Sequence, residues 1–354
     1  MNKAEQEIYI YAENKAYRDA LGLPKDITEE YTVLAQGEYN KNYLFTHPVD
    51  GKELVLRVNY GSQMHLNHQI EYEARALSLI ESSGRTPCVY YVDGTDEAPG
   101  SGILVMDYIE GRALDYTNKE ELAGAAECLA DIHSVHIDGN CTIDADPDNL
   151  PSDAEALISP KGTMKAVLSE CEYMLAVYLA AEIAPDDKKK RLRALLDAAW
   201  KLTDRESESP YLCCINTELN STNFLVDMKA SGLEVNLIDW EKPLYGDPAQ
   251  DLAHFLAPTT TFWKTDVIFD EKTVEGFIDS YMRAVSGRFD VSGLKERTLD
   301  LIPITCLRGL TWCAMAWVQY RDPDKKLVNE STAKKLDGYL SEGFIKDIEN
   351  RINV

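Results

Sequence analysis

The sequence predicts an α+β fold with two lobes: a small antiparallel-sheet N-terminal lobe with one main helix, and a large, mainly helical C-terminal lobe. Short apolar stretches separated by turn signals dominate residues 1–109, whereas apolar residues at helical spacing dominate residues 110–354. The length of 354 residues is sufficient for two lobes or two domains.

The N-terminal lobe is predicted to begin with an amphipathic helix over residues 5–21, which Leu23-Pro24 ends. Five strands are predicted at residues 31–35, 42–46, 54–58, 89–92 and 102–109. The Asp50-Gly51 pair is typical of a hairpin turn before the third strand. Residues 65–82 have apolar side chains on one helical face and are predicted to form the main helix of this lobe.

The C-terminal lobe is predicted to be helical around two central strands. Helices are predicted at residues 119–135, 163–184, 186–206, 249–257, 271–286, 292–319 and 331–350. The strands are expected around residues 212–216 and 224–239. Residues 137–162 are rich in Asp, Pro, Gly and Asn, so they predict a long connection that is mobile or faces a substrate.

Composition excludes several classes of function. Hydrophobic residues make up 45% of the chain and charged residues 27%, as in an ordinary soluble protein. The net charge of −24 argues against nucleic-acid binding, which needs a basic face. An acidic protein can attract a cationic substrate, although solubility explains the charge more simply. No apolar run reaches the ~20 residues of a membrane helix, and the polar N-terminus does not resemble a signal peptide, so a cytoplasmic protein is expected.

Cysteine and histidine spacing gives no metal-site pattern. The eight cysteines are scattered without a C-x-x-C pair and are expected to be mostly reduced and buried. His65 and His68 are three residues apart, as are His133 and His136, which places each pair near one helix face. Because no Cys or carboxylate cluster of zinc-site type lies nearby, surface or packing roles are favoured for these histidines.

Residues 215–251 contain the most informative pattern. Glu218 is followed five positions later by Asn223, and an apolar strand then ends at Asp239. Phosphotransferases of the kinase type use such a set: one carboxylate for the acceptor hydroxyl, and an amide and a second carboxylate for the metal ions on the nucleotide phosphates. The run Gly246-Asp247-Pro248, with Asp251 beyond it, completes the pattern.

This pattern resembles the aminoglycoside phosphotransferase and choline kinase family, which has a protein-kinase-like fold. The family usually has His-Gly-Asp, four residues, Asn, an Ile-Asp-Trp or Ile-Asp-Phe strand, and then Gly-Asp-Pro. Asn216-Thr217-Glu218 replaces His-Gly-Asp in this chain, whereas Asn223, Asp239 and the segment from Gly246 to Asp251 match. The resemblance extends from about residue 30 to 320, with its specific part at 215–251.

The resemblance implies an ATP- and Mg²⁺-dependent kinase, with GTP as an alternative nucleotide. Its acceptor would be a hydroxyl of a small metabolite or antibiotic, with a cationic molecule as one option. Asn223 and Asp239 would hold Mg²⁺. Asp247 and Asp251 are expected to brace the loop and cap the following helix rather than to perform chemistry. The substrate and the oligomeric state are not predicted.

The N-terminal lobe would bind the nucleotide. Gly37 and Asn40 match the nucleotide loop between the first two strands, and Met106, Asp107 and Tyr108 match the hinge that contacts adenine.

Arg57 interrupts an apolar strand, where an unpaired charge is costly, and it occupies the place of the kinase lysine that grips the phosphates. Glu73 is its expected partner, and Glu71 is the alternative if the register shifts by two residues.

Glu218 leaves two hypotheses open. It could serve as the base, since Glu and Asp carry the same charge. Its extra methylene moves the carboxylate by about 1 Å, a displacement that can cost ~100-fold in rate. The alternative is therefore a catalytically impaired pseudokinase that acts as a nucleotide-binding or protein-interaction module. A protein kinase is disfavoured, because no Ala-Pro-Glu segment follows Asp239.

Residues 310–320 form an aromatic-rich helical segment. Choline kinases place aromatic residues of a comparable late helix around a quaternary ammonium. The spacing differs here, and a core helix packed within the large lobe is favoured over a cation cage.

Overall fold

The N-terminal lobe is built on a five-stranded antiparallel sheet, as predicted. The computed structural model describes residues 3–37, 39–230, 232–321 and 330–352 of the chain. The strands are β1 (Thr32–Gln36), β2 (Asn40–Thr46), β3 (Glu53–Asn59), β4 (Val89–Asp93) and β5 (Ile103–Asp107), in the spatial order β1-β2-β3-β5-β4. The Asp50-Gly51 hairpin is confirmed, with Gly51 at a φ of 75°.

Three helices accompany this sheet: α1 (Lys3–Tyr11), α2 (Lys15–Leu21) and α3 (Gln69–Ile80). The prediction of one helix over 5–21 was wrong, because Asn14 interrupts it. The Asn14 side chain accepts hydrogen bonds from the amides of Ala16 and Tyr17 and so starts a new helix. The main helix α3 begins at Gln69 rather than at residue 65.

The C-terminal lobe is mainly helical. Its helices are α4 (Lys119–His133), α5 (Thr163–Ala180), α6 (Asp186–Trp200), α7 (Pro248–Leu256), α8 (Pro258–Lys264), α9 (Glu271–Val285), α10 (Leu294–Gln319), α11 (Glu330–Tyr339) and α12 (Glu342–Ile352). The helix predicted over 331–350 is therefore two helices.

Short strands lie between these helices. They are β6 (Arg112–Ala113), β7 (Thr142–Ala145), β8 (Leu157–Pro160), β9 (Cys213–Ile215), β10 (Phe224–Lys229), β11 (Gly232–Leu237) and β12 (Leu244–Gly246). The predicted connection over 137–162 contains the parallel pair β7 and β8. The predicted strand region over 224–239 is the hairpin of β10 and β11, and β9 pairs with β12.

Two hydrophobic cores cover both faces of the N-terminal sheet. A small core lies against α1 and α2 and includes Tyr17, Tyr43 and Phe45, whereas the large core runs from α3 through the C-terminal lobe. Strand β3 is consequently buried from Leu54 to Asn59. Any charge on this strand therefore needs a partner.

Helix α10 is the central helix of the large lobe. Among the described residues, α10 alone is long and apolar enough to span a membrane, but 61% of its apolar window is buried inside the protein. Trp312 packs edge-on against Trp263, and Trp317 packs against Tyr178 while Arg321 covers its ring at 3.8 Å. These contacts agree with the predicted core helix rather than with a cation cage.

The cysteines and histidines take packing and surface positions. All eight cysteines are free, and six of them are buried. Buried His133 lies between Asp251 and Tyr281, whereas the His136 side chain is 84% exposed. The His65 ring packs against Tyr173.

Candidate active site

Arg57 connects the two lobes. It lies on β3 with 5% of its side chain exposed. Its Nη1 donates a hydrogen bond of 2.5 Å to Oε1 of Glu73 on α3, and Nη2 lies 3.3 Å from Oδ1 of Asp239, which follows β11. Burial lowers the pKa of Arg57, but the surrounding carboxylates, Glu73 first, outweigh burial and the net shift is upward. A charged guanidinium thus links α3 to the loop after β11.

Glu73, and not Glu71, is the partner of Arg57. The Glu73 side chain is 1% exposed, whereas the Glu71 side chain is 42% exposed and lies 3.8 Å from His68 on the same helix. The register of α3 therefore matches the first of the two alternatives.

Asp239 has a backbone conformation that is unusual for its residue type. Its φ is 67°, in the left-handed region, where residues other than glycine are uncommon. Its carbonyl accepts a hydrogen bond of 2.8 Å from the side-chain amide of Asn216, and its carboxylate is 34% exposed. Asn216 stands where the family has His and braces the loop through its own side chain. Backbone strain of this kind is found most often at active sites and ligand-binding sites.

Thr217 adopts a φ of 67° at the position where the family has Gly. This conformation suits Gly and strains a β-branched residue. Three hydrogen bonds hold it: the amides of Asn216 and Thr217 donate to the two carboxylate oxygens of Asp251 over 2.8 and 2.7 Å, and Thr217 Oγ1 donates to the Lys242 carbonyl over 2.8 Å. The loop therefore keeps a strained conformation without its glycine.

The predicted roles of Asp251 and Asp247 are confirmed. Asp251 is fully buried on α7 and binds the two loop amides. Asp247 caps α7 by accepting from the Ala249 amide over 2.9 Å, and it also pairs with Arg297 over 2.6 Å. Asp251 thus braces the loop, and Asp247 caps the helix that carries Asp251.

Glu218 projects from this loop with 24% of its side chain exposed. Its Oε1 accepts from Gln63 Nε2 over 3.0 Å and from Arg308 Nη2 over 3.2 Å. Its Oε2 has no hydrogen-bond partner among the described residues, so one carboxylate oxygen is available for an incoming group.

Asn223 and Asp239 supply oxygen atoms of the kind that Mg²⁺ prefers. The Asn223 amide nitrogen donates to the Glu218 carbonyl over 2.9 Å, which leaves its side-chain oxygen as an acceptor. The Asn223 carbonyl accepts from the Ile238 amide, so the two segments are adjacent. Within the described part of the chain, no three His, Cys, Asp or Glu residues form a metal-binding group. This arrangement fits Mg²⁺, which binds few protein ligands and completes its shell with phosphates and water.

Asn40 lies at the boundary of the lobes. Its side chain is nearly buried, donates to the Glu241 carboxylate, and accepts from Asn59 Nδ2 over 2.9 Å. The Gly37 amide donates to the Asn40 carbonyl and closes the turn between β1 and β2. The nucleotide contacts of Gly37 and Asn40 stay predictions.

The hinge candidates lie where β5 ends. Met106 pairs with Val55 in the sheet. The Asp107 carboxylate lies 2.6 Å from Lys52 Nζ, and the Tyr108 amide donates to the Glu53 carbonyl over 3.3 Å. The Asp107 side chain and the Tyr108 amide are thus used within the N-terminal lobe. The adenine contacts of these three residues stay predictions.

Glu241 belongs to the site and was missed. Burial, followed by the charges of Asp239 and Glu218, raises the pKa of Glu241 to about 9. The available signal was a second acidic residue two positions after Asp239, in the sequence Asp239-Trp240-Glu241. Glu241 belongs to the site because the N-terminal lobe covers it, and this burial cannot be read from the sequence.

Arg308 and its partner Glu170 were missed as well. Arg308 lies in the middle of apolar α10, so the argument that identified Arg57 applied to it also. Glu170 carries no comparable signal, because it is one of several polar residues along α5.

Arg57 with Glu73 in the N-terminal lobe and Asn223 with Asp239 in the C-terminal lobe lie together at the boundary between the two lobes. This is the architecture of a kinase-like phosphotransferase. The chain belongs to the phosphotransferase enzyme family, whose model matches residues 30–295.

Solved structures support the fold. An ethanolamine kinase from Plasmodium vivax superposes with a TM-score of 0.64 at 13% identity, covering 98% of this chain and 96% of the kinase. A spectinomycin phosphotransferase in complex with ADP and spectinomycin has a TM-score of 0.63 at 13% identity and covers 99% and 98%. A microcompartment-associated aminopropanol kinase has a TM-score of 0.61 at 13% identity and covers 96% and 97%. No curated protein sequence matches this chain significantly.

Proposed function

We propose that this protein is an ATP- and Mg²⁺-dependent phosphotransferase that acts on a hydroxyl group of a small molecule. The supporting observation is that Arg57 contacts Glu73 and Asp239 together. This contact joins the residues that we propose for the phosphates to a residue that we propose for the metal ions. GTP stays an alternative nucleotide, and the free cysteines fit a cytoplasmic location.

In the proposed reaction, the acceptor oxygen forms a bond to the γ-phosphorus while the bond to the bridging oxygen breaks and the nucleoside diphosphate leaves. Glu218 accepts the hydroxyl proton on Oε2, the oxygen without a protein partner. Arg57 orients the phosphates, and Asn223 and Asp239 would hold Mg²⁺, whose positive charge stabilises the charge that develops on the phosphoryl group.

The acceptor we favour carries an amino group. The Glu170 carboxylate near Glu218 is more exposed than the two cations that bind it. The Glu170 side chain is 28% exposed, against 12% for Arg308 and 10% for Lys242. An incoming molecule therefore meets negative charge first, which suits a cation. The structural neighbours named for ethanolamine, aminopropanol and spectinomycin are consistent with this class.

The alternative function is a nucleotide-binding or protein-interaction module with little catalysis. The strained Thr217, at the position where the family has Gly, favours it. It predicts that Glu218→Gln leaves every measurable function intact.

The first experiment is calorimetric titration with a non-hydrolysable ATP analogue, with and without Mg²⁺. Tight, Mg²⁺-dependent binding is expected, and the Asp239→Ala variant should lose the Mg²⁺ dependence. Absence of binding for ATP and GTP analogues would contradict the proposal.

Transfer assays then decide between the two functions. Ethanolamine, aminopropanol and spectinomycin are the acceptors to test with MgATP. Turnover should collapse in both Asp239→Ala and Glu218→Gln. Unchanged turnover in Asp239→Ala would exclude the metal role, and unchanged turnover in Glu218→Gln would exclude the base.

A further inference from the structure

Arg308 lies in the centre of α10 and is held in a fixed position by Glu170 of α5. Its Nε donates to Glu170 Oε2 over 2.8 Å, and its Nη2 donates to Glu170 Oε1 over 3.1 Å. A planar guanidinium bound through two nitrogens has little freedom to rotate. The same Nη2 lies 3.2 Å from Oε1 of Glu218.

Lys242 completes a closed group of four charges. It follows β11, and its ammonium binds the Glu170 carboxylate. Two cations, Arg308 and Lys242, thus face two carboxylates, Glu170 and Glu218, and the group is neutral. The Lys242 carbonyl also accepts a hydrogen bond from Thr217. The network therefore contacts the strained loop at two residues, Thr217 and Glu218.

The proposed reaction needs the Glu218 carboxylate in a defined place, yet glutamate has one more rotatable bond than aspartate. Arg308 removes that freedom, because its Nη2 and Gln63 Nε2 both bind Oε1 and leave Oε2 for the acceptor. We propose that Arg308, anchored by Glu170, is the positioning residue for Glu218. It restrains the longer glutamate side chain, whereas an aspartate at this position would need less restraint. This inference rests on the proposed phosphotransferase function.

Two consequences follow for variants. Arg308→Gln should lower kcat by ~10–100-fold, the effect of a carboxylate displaced by about 1 Å, and leave the KM for MgATP within about twofold. Glu218→Asp, which introduces the residue usual in the family, should also lower kcat, because the shorter side chain does not reach Nη2.

The decisive test is a double-mutant cycle on MgATP turnover, measured as phosphate transfer to ethanolamine, aminopropanol and spectinomycin and as phosphate release to water. Arg308 acts only through Glu218 in this proposal, so adding Arg308→Gln to Glu218→Gln should cause no further loss. Guanidinium ion added to Arg308→Ala should restore part of kcat, an effect that a purely structural role does not predict.

Arg193→Gln is the matched control. Arg193 on α6 forms a two-nitrogen pair with Glu172, which lies two residues after Glu170 on α5, and Arg193 does not contact Glu218. Its turnover should match that of the wild type.

The outcomes separate the inference from the function on which it rests. Wild-type turnover in Arg308→Gln, together with collapse in Glu218→Gln, overturns the inference alone, as do additive losses in the double variant. Wild-type turnover in Glu218→Gln, or no turnover in the wild type, overturns the proposed base and the inference with it. If Arg308→Gln does not fold, Glu218→Asp still decides, because turnover equal to or above that of the wild type would contradict the proposal.

Discussion

Three arginines with little exposed surface lie against carboxylates from other elements: Arg57 and Arg297 are buried, and Arg308 is half-buried. Arg57 on β3 faces Glu73 on α3, Arg297 on α10 faces Asp247 at the start of α7, and Arg308 on α10 faces Glu170 on α5. Removing one partner of such a pair leaves a buried charge without compensation, which costs more than the pair itself contributes. Substitutions at these sites should therefore affect stability as well as activity.

Arg57→Met should destabilise the protein by about 3–5 kcal/mol, because Glu73 remains buried without its cation. Urea denaturation measures the change. The double variant Arg57→Met/Glu73→Gln should regain part of the loss, since the amide carries no charge. A double variant that is less stable than Arg57→Met would show that the pair does not act as a unit.

The loop between β9 and β10 is an element whose shape is imposed by a neighbouring helix. Asp251 on α7 accepts the amides of Asn216 and Thr217, and the same carboxylate lies 3.2 Å from His133. Glu218 and Asn223 lie in this loop. Its conformation therefore depends on the bonds to Asp251 as well as on the Asn216 side chain, which binds the Asp239 carbonyl.

Asp251→Ala should destabilise the protein by about 2–4 kcal/mol, since two buried amides lose their acceptors. The stability of Asp251→Asn should lie between that of Asp251→Ala and that of the wild type, because one acceptor oxygen remains. Denaturation midpoints test this order, and hydrogen exchange at Asn216 and Thr217 should become faster in the alanine variant. Unchanged exchange at both amides would show that Asp251 does not hold the loop.

The sequence could predict those elements whose cause is local. Strand and turn patterns placed the five strands of the N-terminal lobe. The burial cost of a charge on β3 indicated that Arg57 needs a partner, but the sequence left Glu71 open as the alternative to Glu73. The spacing from Glu218 to Asp239 led to the candidate metal ligands and the family. Each of these inferences needs only neighbouring residues or one known pattern.

Features that depend on distant contacts could not be predicted. Glu170 joins Arg308 and Lys242 across 138 and 72 positions of sequence. The burial of Glu241 likewise requires Asn40 from the other lobe. The break at Asn14 was a different case: the capping signal was present, but the apolar pattern on either side favoured one continuous helix.

At the scale of the whole molecule, side chains of the N-terminal lobe hold the two lobes together beside the site. Asn40 donates to the Glu241 carboxylate, Gln69 to the Glu241 carbonyl over 2.7 Å, and Tyr72 to the Pro243 carbonyl over 2.9 Å. These contacts converge on the four residues after Asp239. Global stability and the geometry of the site are therefore coupled, and conditions that weaken one should weaken the other.

Acid provides a test of global stability through His254 on α7, whose Nδ1 lies 3.1 Å from the Leu219 carbonyl. Burial, followed by the positive charge of Arg308, lowers the pKa of His254 to about 3, from 6.5 in an unperturbed side chain. Between these two values the unfolded chain binds a proton that the folded protein excludes, so stability falls as the pH falls below 6.5.

His254→Asn, which keeps a donor near the position of Nδ1, should remove this contribution. Between pH 7 and pH 5 the variant should lose about 1–2 kcal/mol less of its free energy of unfolding than the wild type loses. Urea denaturation at a series of pH values measures the difference. His136→Asn is the control, because its side chain is 84% exposed, and it should follow the wild type. Equal acid losses in His254→Asn and the wild type would mean that His254 takes up its proton as readily in the folded protein as in the unfolded chain.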